Sequence, residues 1–545
     1  MTSLIRLRSL ILGASLRALK TSFLVCVFSA VAVIASPAQT LTTLISFNGP
    51  DGDNPYAGLV LGTDGNLYGT TYQGGANGNY QGTVFKISPQ SPYTLTTLHT
   101  FLGYPTDGSF PYAGLVQGTD GFFYGTTVNG GTSNNCTNGC GTVFKISPDG
   151  SQYSVLHSFT NADGSIPEGT LIQATDGDFY GTTFYGGAGN NCADFQPSGC
   201  GTVFKISPQS PYTLTTVHSF NFSDGYTPEA GLVQATNGNF YGTTSQGVTS
   251  GQTCGYGCGT VFEMIPQSPY TVTTLHVFQG SDGFFPGAPL IQGGDLNLYG
   301  TTARGGANNN CFFGGCGTVF RISPQSPYTL TTVSLTPATG SLPTAMLLQD
   351  TDRNFYGSTA LDGGNSGGGI FKLTESLTLT PVYSFCALPN CADGSSPSWL
   401  AESNGLFYGT TFSGGAFSAG TVFSLEVGLG PAVSLSPTSL NFGPQGFDIP
   451  NTPLTVILTN TGVAPLLIAS IAITGADGGD FSESNTCPIN PSTLPVGGHC
   501  SITVVFSPTA SGTRNADITI TDNAPNSPQM VPLTGIGVGG KVGLE

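Results

Sequence analysis

Charge is scarce in this chain: 13 Lys+Arg and 30 Asp+Glu make up 8% of 545 residues, against roughly 25% in an average soluble domain. That scarcity excludes a coiled coil or a Lys/Glu-rich helical protein and argues against charge-driven disorder. Positive charge is rarest. At a net charge of −17 no basic footprint exists to release counterions, so nucleic acid and anionic membrane surfaces are poor candidate partners, and no nucleic acid is expected. The repeat region lacks the 3.6-residue apolar period of a surface helix. No Ser-His-Asp pattern, phosphate loop or dinucleotide fingerprint stands out, and no cofactor is expected. Glycine and proline are plentiful instead, at 80 and 37, high but short of the collagen or low-complexity range.

One apolar run, Phe23 to Ala35, follows Arg6, Arg8, Arg17 and Lys20 and precedes Ser36-Pro37-Ala38. It is too short to span the hydrocarbon core but fits the apolar region of a signal peptide. Residues 1–38 are therefore expected to be an export signal, with no membrane span after its cleavage and a secreted or cell-surface mature protein. Cysteine usage agrees. Setting aside Cys26, the rest fall in local couples: Cys136/Cys140, Cys192/Cys200, Cys254/Cys258, Cys311/Cys316, Cys386/Cys391 and Cys487/Cys500. In an exported chain these read as loop-stapling disulfides. Zinc would need two further ligands per couple, and His99, His157, His218 and His276 sit at one repeated position far from the couples.

The chain repeats. Tyr-Gly-Thr/Ser-Thr occurs with Tyr at 68, 124, 180, 241, 299, 356 and 408. Gly-Thr-Val-Phe starts at 82, 141, 201, 259, 317 and 420, with Gly369-Ile370-Phe371 in the sixth copy. Asp-Gly-x-x-Pro begins at Asp51, Asp107, Asp163, Asp224, Asp282 and Asp393, and copy six has Thr339-Gly340-Ser341-Leu342-Pro343. Each unit reads as four short strands. In copy two these are Ala113–Gly118, Phe122–Thr127, Gly141–Ser147 and Tyr153–Phe159, with an Asp120-Gly121 hairpin turn between the first two. Four antiparallel strands in each of seven repeats predict an all-β, seven-bladed β-propeller over 41–427. Residues 41–47 read as a fourth strand lacking its first three, and 420–426 as a third strand lacking its fourth. The N-terminal strand is therefore expected to close the last blade and remove two free edges.

In such a blade the loop after the second strand and the connection to the next blade emerge at the same end. Binding is expected there, because variable loops on a rigid scaffold usually carry it. The connection aspartates Asp51, Asp53, Asp107, Asp163, Asp224, Asp282 and Asp393 are the ligand-face candidates. A calcium-binding carboxylate ring competes with a simple Asx-type turn, and turn chemistry favours the latter, so no metal is expected. Carboxylates that break the repeat are Glu168, Asp194, Glu229 and Glu402. Glu168 and Glu229 each follow the Pro of a connection in adjacent repeats, the weak candidates for a catalytic pair.

After Val427, residues 428–431 read as a linker. Alternating strands at Val433–Ser436, Leu454–Asn460, Ser470–Thr474, Cys500–Phe506 and Ala516–Thr521 then predict an immunoglobulin-like β-sandwich over 432–537, with 538–545 as a tail. Through Ser439–Gly443, Leu458–Gly462, Phe481, Cys487–Cys500 and Val505–Pro508, this stretch resembles choice-of-anchor D domains, related to the abnormal-spindle/hydin type. Asp64–Thr71 and Gly82–Ile87 resemble the GloVer tandem repeat of exported bacterial proteins. The resemblance implies export and a surface setting but no defined activity, and the sorting signal that often ends choice-of-anchor proteins is not seen before Glu545. The expectation is a secreted or surface binding and scaffolding module whose partner is a polysaccharide or another surface protein. The alternative is a carbohydrate-active enzyme, a glycoside hydrolase or lyase, acting on the same face.

Overall fold

The computed structural model describes residues 40–539, apart from 79, 189–191, 193–198, 249–253, 309, 312–313, 351, 404, 428–430, 448–450, 463–464 and 525–526. The expected export signal, Asp194 and most of the expected linker and tail lie outside the described residues. Among the described residues there is no α-helix and no helix long and apolar enough to cross a membrane.

The repeats form seven main antiparallel sheets, six of them simple four-stranded meanders in chain order, besides a two-stranded ladder of Gly108–Ser109 with Asn129–Gly130. In copy two the strands are Val116–Gln117, Phe123–Thr127, Thr142–Ile146 and Tyr153–Ser158. The regular part of the first strand is two residues long, shorter than the sequence predicts. The reason is a change of hydrogen-bond partner: the Ala113 carbonyl accepts from the Thr70 hydroxyl of the preceding sheet at 3.2 Å rather than joining a ladder. The N-terminal strand Thr40–Ser46 pairs antiparallel with Thr421–Glu426 of the seventh sheet.

The repeated motifs hold the sheets to one another. The first Thr of Tyr-Gly-Thr-Thr reaches a carbonyl of the next repeat: Thr126 to Pro167 at 3.1 Å, Thr182 to Ala230 at 2.8 Å, Thr301 to Pro343 at 3.1 Å. Thr410 of the seventh sheet makes the same bond back to Ala57 of the first, at 2.9 Å. Thr243 has no such partner among the described residues. The second Thr pairs within its sheet with the Thr of Gly-Thr-Val-Phe, as in Thr71–Thr83 at 2.8 Å, buried. Glycine in Tyr-Gly-Thr-Thr is required by a ring: a Cβ on Gly69 would stand 2.6 Å from Phe85.

Aromatic contacts follow the same path. Tyr68 stacks on Phe123 of the next repeat with centroids 4.0 Å apart, Tyr124 on Phe179 at 4.1 Å, and Tyr299 on Phe355 at 4.0 Å. Each such pair contributes about 0.5–1.5 kcal/mol beyond its area burial. The apolar clusters accordingly straddle neighbouring repeats. One of them joins Leu44, Phe47, Leu67 and Phe85 at the start of the array to Tyr408 and Val422 at its end.

The C-terminal domain has two four-stranded sheets. One runs Val433–Ser436, Leu454–Asn460, His499–Phe506, Phe481–Asn485; the other runs Leu440–Gly446, Gln529–Val538, Gly512–Asp522, Ile468–Thr474. Their shared core includes Val456, Leu458, Ile502, Val504, Ile518, Ile520 and Val531. Three strands go beyond the expected set. Leu440–Gly446 and Gln529–Val538 carry Gly and Pro within them, which hides their alternation, and they pair in parallel through an irregular register.

Candidate functional site

The residue after the Pro of each connection breaks the repeat, and these departures meet. Tyr56, Tyr112, Glu168, Glu229, Gly287 and Thr344 come from repeats one to six and line one cavity of about 340 Å³, within the usual size range for small-ligand sites. Trp399 of the seventh repeat, the chain's single tryptophan, lines it too. Gln246, Ala303 and Arg304, which begin the loops after the second strands, complete the wall together with Phe285. The cavity thus belongs to the end of the array where connections and long loops emerge.

Local chemistry fixes each group. Ser245 donates its hydroxyl to Glu229 Oε1 at 2.8 Å, and the same hydroxyl lies 2.7 Å from that of Thr227. Glu229 Oε2 fills the space where a Cβ on Gly287 would stand, 2.7 Å away, so a side chain there would collide with it. Glu168 has no hydrogen-bond partner among the described residues. Protein surrounds both carboxyls, and what surface they keep faces the cavity. Burial pushes Glu168 up to about 8, and the charge of Glu229 adds to the shift. Burial also raises Glu229, opposed by the Ser245 hydroxyl. One of the two therefore holds a proton at neutral pH, as close carboxylates do.

Tyr56 and Tyr112 stack with ring centroids 4.0 Å apart. Burial raises both phenols, and both feel the negative charge of Glu168 and Glu229, which places the rings beside the carboxyl pair. Trp399 crosses repeat one: a Cβ on Gly58 would meet the Trp399 Cβ at 2.5 Å, and one on Gly114 would lie 3.4 Å from the indole ring. The Arg304 guanidinium sits over Phe285 at 5.3 Å from its centroid.

The other residues singled out in the sequence lie elsewhere. The connection aspartates do not converge. Asp107, Asp163, Asp224 and Asp282 bind His99, His157, His218 and His276 at 3.0, 2.9, 3.1 and 2.9 Å. Burial opposes ionisation of these aspartates, but hydrogen bonds from the histidine and from backbone N–H groups outweigh it and hold them below the usual carboxylate range. Histidines and aspartates read separately in the sequence are partners, each tying a connection to the strand before it. Asp393 takes the Tyr383 hydroxyl at 2.9 Å instead. Asp51 accepts from the Asn48 N–H at 2.9 Å, and Asp53 bridges to Gln73 through its backbone. Glu402 accepts from the Gly405 N–H at 2.8 Å and shapes a turn. The described residues hold no group of three or more metal-ligating side chains.

Disulfides join Cys136–Cys140, Cys192–Cys200, Cys254–Cys258, Cys311–Cys316, Cys386–Cys391 and Cys487–Cys500. Five lie in loops or connections of the repeats and one in the sandwich. Sequence reasoning missed Tyr56, Tyr112, Arg304 and Trp399. Aligning the copies on Pro and on Tyr-Gly-Thr-Thr exposes Tyr56, Tyr112 and Arg304 at positions that vary between repeats, and Trp399 as the one large residue at a position held by Ala or Gly in the other six copies.

Seven tandem antiparallel sheets, followed along the chain by a β-sandwich, define an all-β tandem-repeat protein with an immunoglobulin-like C-terminal domain. The chain belongs to the Gloeobacter/Verrucomicrobia repeat family, whose model matches residues 30–195 and 192–423. The HYDIN/CFA65/VesB-like immunoglobulin-like domain matches residues 431–535. No curated protein matches the chain. Among solved structures it is similar to PorZ, a surface component of the type-IX secretion system of Porphyromonas gingivalis (TM-score 0.43, 16% identity), over 91% of this chain and 60% of that one. The chain thus spans less than two thirds of PorZ. It is similar to a fungal alcohol oxidase of the AA5 family (TM-score 0.45, 10% identity, 91% and 98% of the chains). A third likeness is to a PL25 ulvan lyase (TM-score 0.46, 12% identity, 71% and 96%). None of these scores reaches 0.5, and the reading of the cavity rests on its own residues.

Proposed function

We propose that this is an exported saccharide-binding protein whose seven sheets close as a seven-bladed β-propeller over 41–427 and bind a glycan in the cavity at the loop-rich end. Closure is supported by the Thr410–Ala57 bond, which repeats between the last and first sheets the contact made along the array, and by the pairing of Thr40–Ser46 with Thr421–Glu426. Export is supported by the disulfides, which persist in oxidising compartments. The signal at 1–38, the linker at 428–431 and the sandwich at 432–537 complete the arrangement.

One observation carries the binding reading: residues that depart from the repeat, among them Tyr56, Tyr112, Glu168, Glu229 and Trp399, meet in a single cavity. Repeats that served only the fold would carry the same residue at these positions. Flat aromatic faces suit sugar rings, and carboxyls suit their hydroxyls. Tyr80, Tyr104, Tyr256 and Phe417, at 62%, 46%, 57% and 65% exposure, stand on loops or connections of the same end and extend the aromatic surface beyond the cavity.

A second reading, cleavage of the bound glycan, is favoured by the carboxyl pair, one member of which holds a proton at neutral pH. A protonated Glu168 beside Glu229 has the chemistry of a general acid with its carboxylate partner. A glycan array followed by a polysaccharide-cleavage screen of the mature chain tests both readings. Binding without product supports the module. Product whose release Glu168→Gln or Glu229→Gln abolishes establishes the enzyme, and failure of every glycan to bind overturns both.

A further inference from the structure

We infer that the cavity selects a cationic saccharide, one whose ring carries a protonated primary amine that docks between Glu168 and Glu229 with the ring against Tyr56, Tyr112 and Trp399. This deepens the saccharide reading and rests on it.

Three observations converge. First, Glu168 faces the cavity with no donor among the described residues. An enclosed carboxyl without a partner is costly unless a ligand satisfies it. Second, the influences on the pair are burial, the mutual repulsion that acts on Glu168, and the Ser245 hydroxyl bonded to Glu229. Of these only the hydroxyl eases the pair, and it reaches one oxygen of Glu229. An ammonium group supplies up to three donors and a full positive charge, which meets the unpaired oxygens and offsets the repulsion that ionising both carboxyls would bring. A neutral sugar hydroxyl meets the oxygens and leaves Glu168 holding its proton. Third, the electron-rich faces of the stacked Tyr56–Tyr112 pair and of Trp399 line the same cavity, and aromatic faces attract organic cations. The chain's net charge of −17 favours approach of cations over anions.

Because Glu168 is held protonated in the free cavity, arrival of an ammonium releases that proton to the solvent. The carboxyl becomes carboxylate, the amine keeps its own proton, and no covalent bond to carbon changes.

The test is isothermal titration calorimetry of the mature full-length protein with the glucosamine tetramer, the N-acetylglucosamine tetramer and cellotetraose, at physiological ionic strength to screen non-specific attraction. The amine-bearing tetramer is expected to bind at least about tenfold more tightly than either neutral one, the scale of a desolvated charge pair. Glu168→Gln is expected to remove that preference, so that the glucosamine tetramer binds the variant no more tightly than cellotetraose does. Titrations in two buffers of different ionisation enthalpy report proton release with the wild type and none with the variant. Should Glu168→Gln fail to fold, Gly287→Ala, which displaces Glu229, is expected to lose the same preference. Equal binding of all three tetramers overturns the cationic selectivity and leaves the saccharide reading standing. Binding of none of them, to wild-type protein shown folded by circular dichroism, overturns both.

Discussion

Glu229 and Gly287 come from adjacent repeats and share one small volume: the carboxylate oxygen Oε2 lies 2.7 Å from where a Cβ on Gly287 would be. The other copies have Tyr, Glu, Thr or Ser at the position of Gly287, so its bareness serves the neighbour. Gly287→Ala must push Glu229 aside and disturb its bond from Ser245. Overpacking of this kind costs about 1–3 kcal/mol, most of it local. We expect the variant to stay folded by circular dichroism and to bind glycan about tenfold more weakly by calorimetry, a loss of about 1.4 kcal/mol. Unchanged affinity would show that the position of Glu229 is immaterial.

Glu168 makes stability depend on pH in a defined direction. Its folded-state value, about 8, lies above the roughly 4.3 of an unfolded glutamate. The stabilisation it gives as a neutral acid is complete below the unfolded value and is lost as pH rises through the folded one. The slope is at most about 1.4 kcal/mol per pH unit for one proton. The melting temperature of the wild type should therefore fall between pH 5 and 8 more steeply than that of Glu168→Gln. Parallel curves for the two proteins would remove Glu168 as the cause.

His157 and Asp163, 2.9 Å apart, test the opposite end of the scale. The aspartate is held below its usual range, burial being outweighed by the His157 hydrogen bond and by the N–H and hydroxyl of Thr160. Its contribution is present above the unfolded value of about 3.9 and is lost as pH falls through the folded one. Asp163→Asn should cost about 1 kcal/mol near neutrality in chemical denaturation, a modest figure because the pair is partly solvated. The difference from wild type should shrink below about pH 4. Glycan affinity should not change, since the pair ties a connection to its preceding strand rather than facing the cavity.

Much of the architecture was legible because a repeat is its own alignment. Tyr-Gly-Thr-Thr, Gly-Thr-Val-Phe and Asp-Gly turns mark strands and hairpins at fixed offsets, and the orphan strand at 41–47 announced its pairing with 420–426. The short first strands were not legible, because their carbonyls bond to threonine hydroxyls of another sheet, a relationship without local pattern. Nor were the His–Asp pairs, where two recurring motifs had to be read as one. At the site, Glu168 and Glu229 stood out as carboxylates that break the repeat. Tyr56 and Tyr112 did not, because tyrosine is common throughout the chain and only position sets these two apart; Trp399, unique in type, lies one residue beyond the post-proline position at which Glu168 and Glu229 stand. Leu440–Gly446 and Gln529–Val538 in the sandwich were hidden by glycine and proline inside the strands.

The N-terminal strand offers a test of closure. Thr40–Ser46 covers the edge of Thr421–Glu426, and Phe47 packs at 5.2 Å from Phe85. A mature chain beginning after Phe47 should expose that edge, lower the melting temperature and self-associate in size-exclusion chromatography. Hydrogen exchange should accelerate at 421–426 and leave the sandwich at 432–537 unaffected. A truncated chain that remains monomeric with the wild-type melting temperature would contradict closure by this strand.

The most direct measurement of the central claim uses Trp399, the chain's single tryptophan, which lines the cavity beside the stacked tyrosines. Its fluorescence reports that site without any label. Titration of the mature protein with the glucosamine tetramer should shift or quench the emission along a saturable curve, and Glu168→Gln should move the midpoint to higher concentration by at least about tenfold. A glycan that binds by calorimetry yet leaves the Trp399 emission untouched would contradict the account, because its site would then lie outside the cavity.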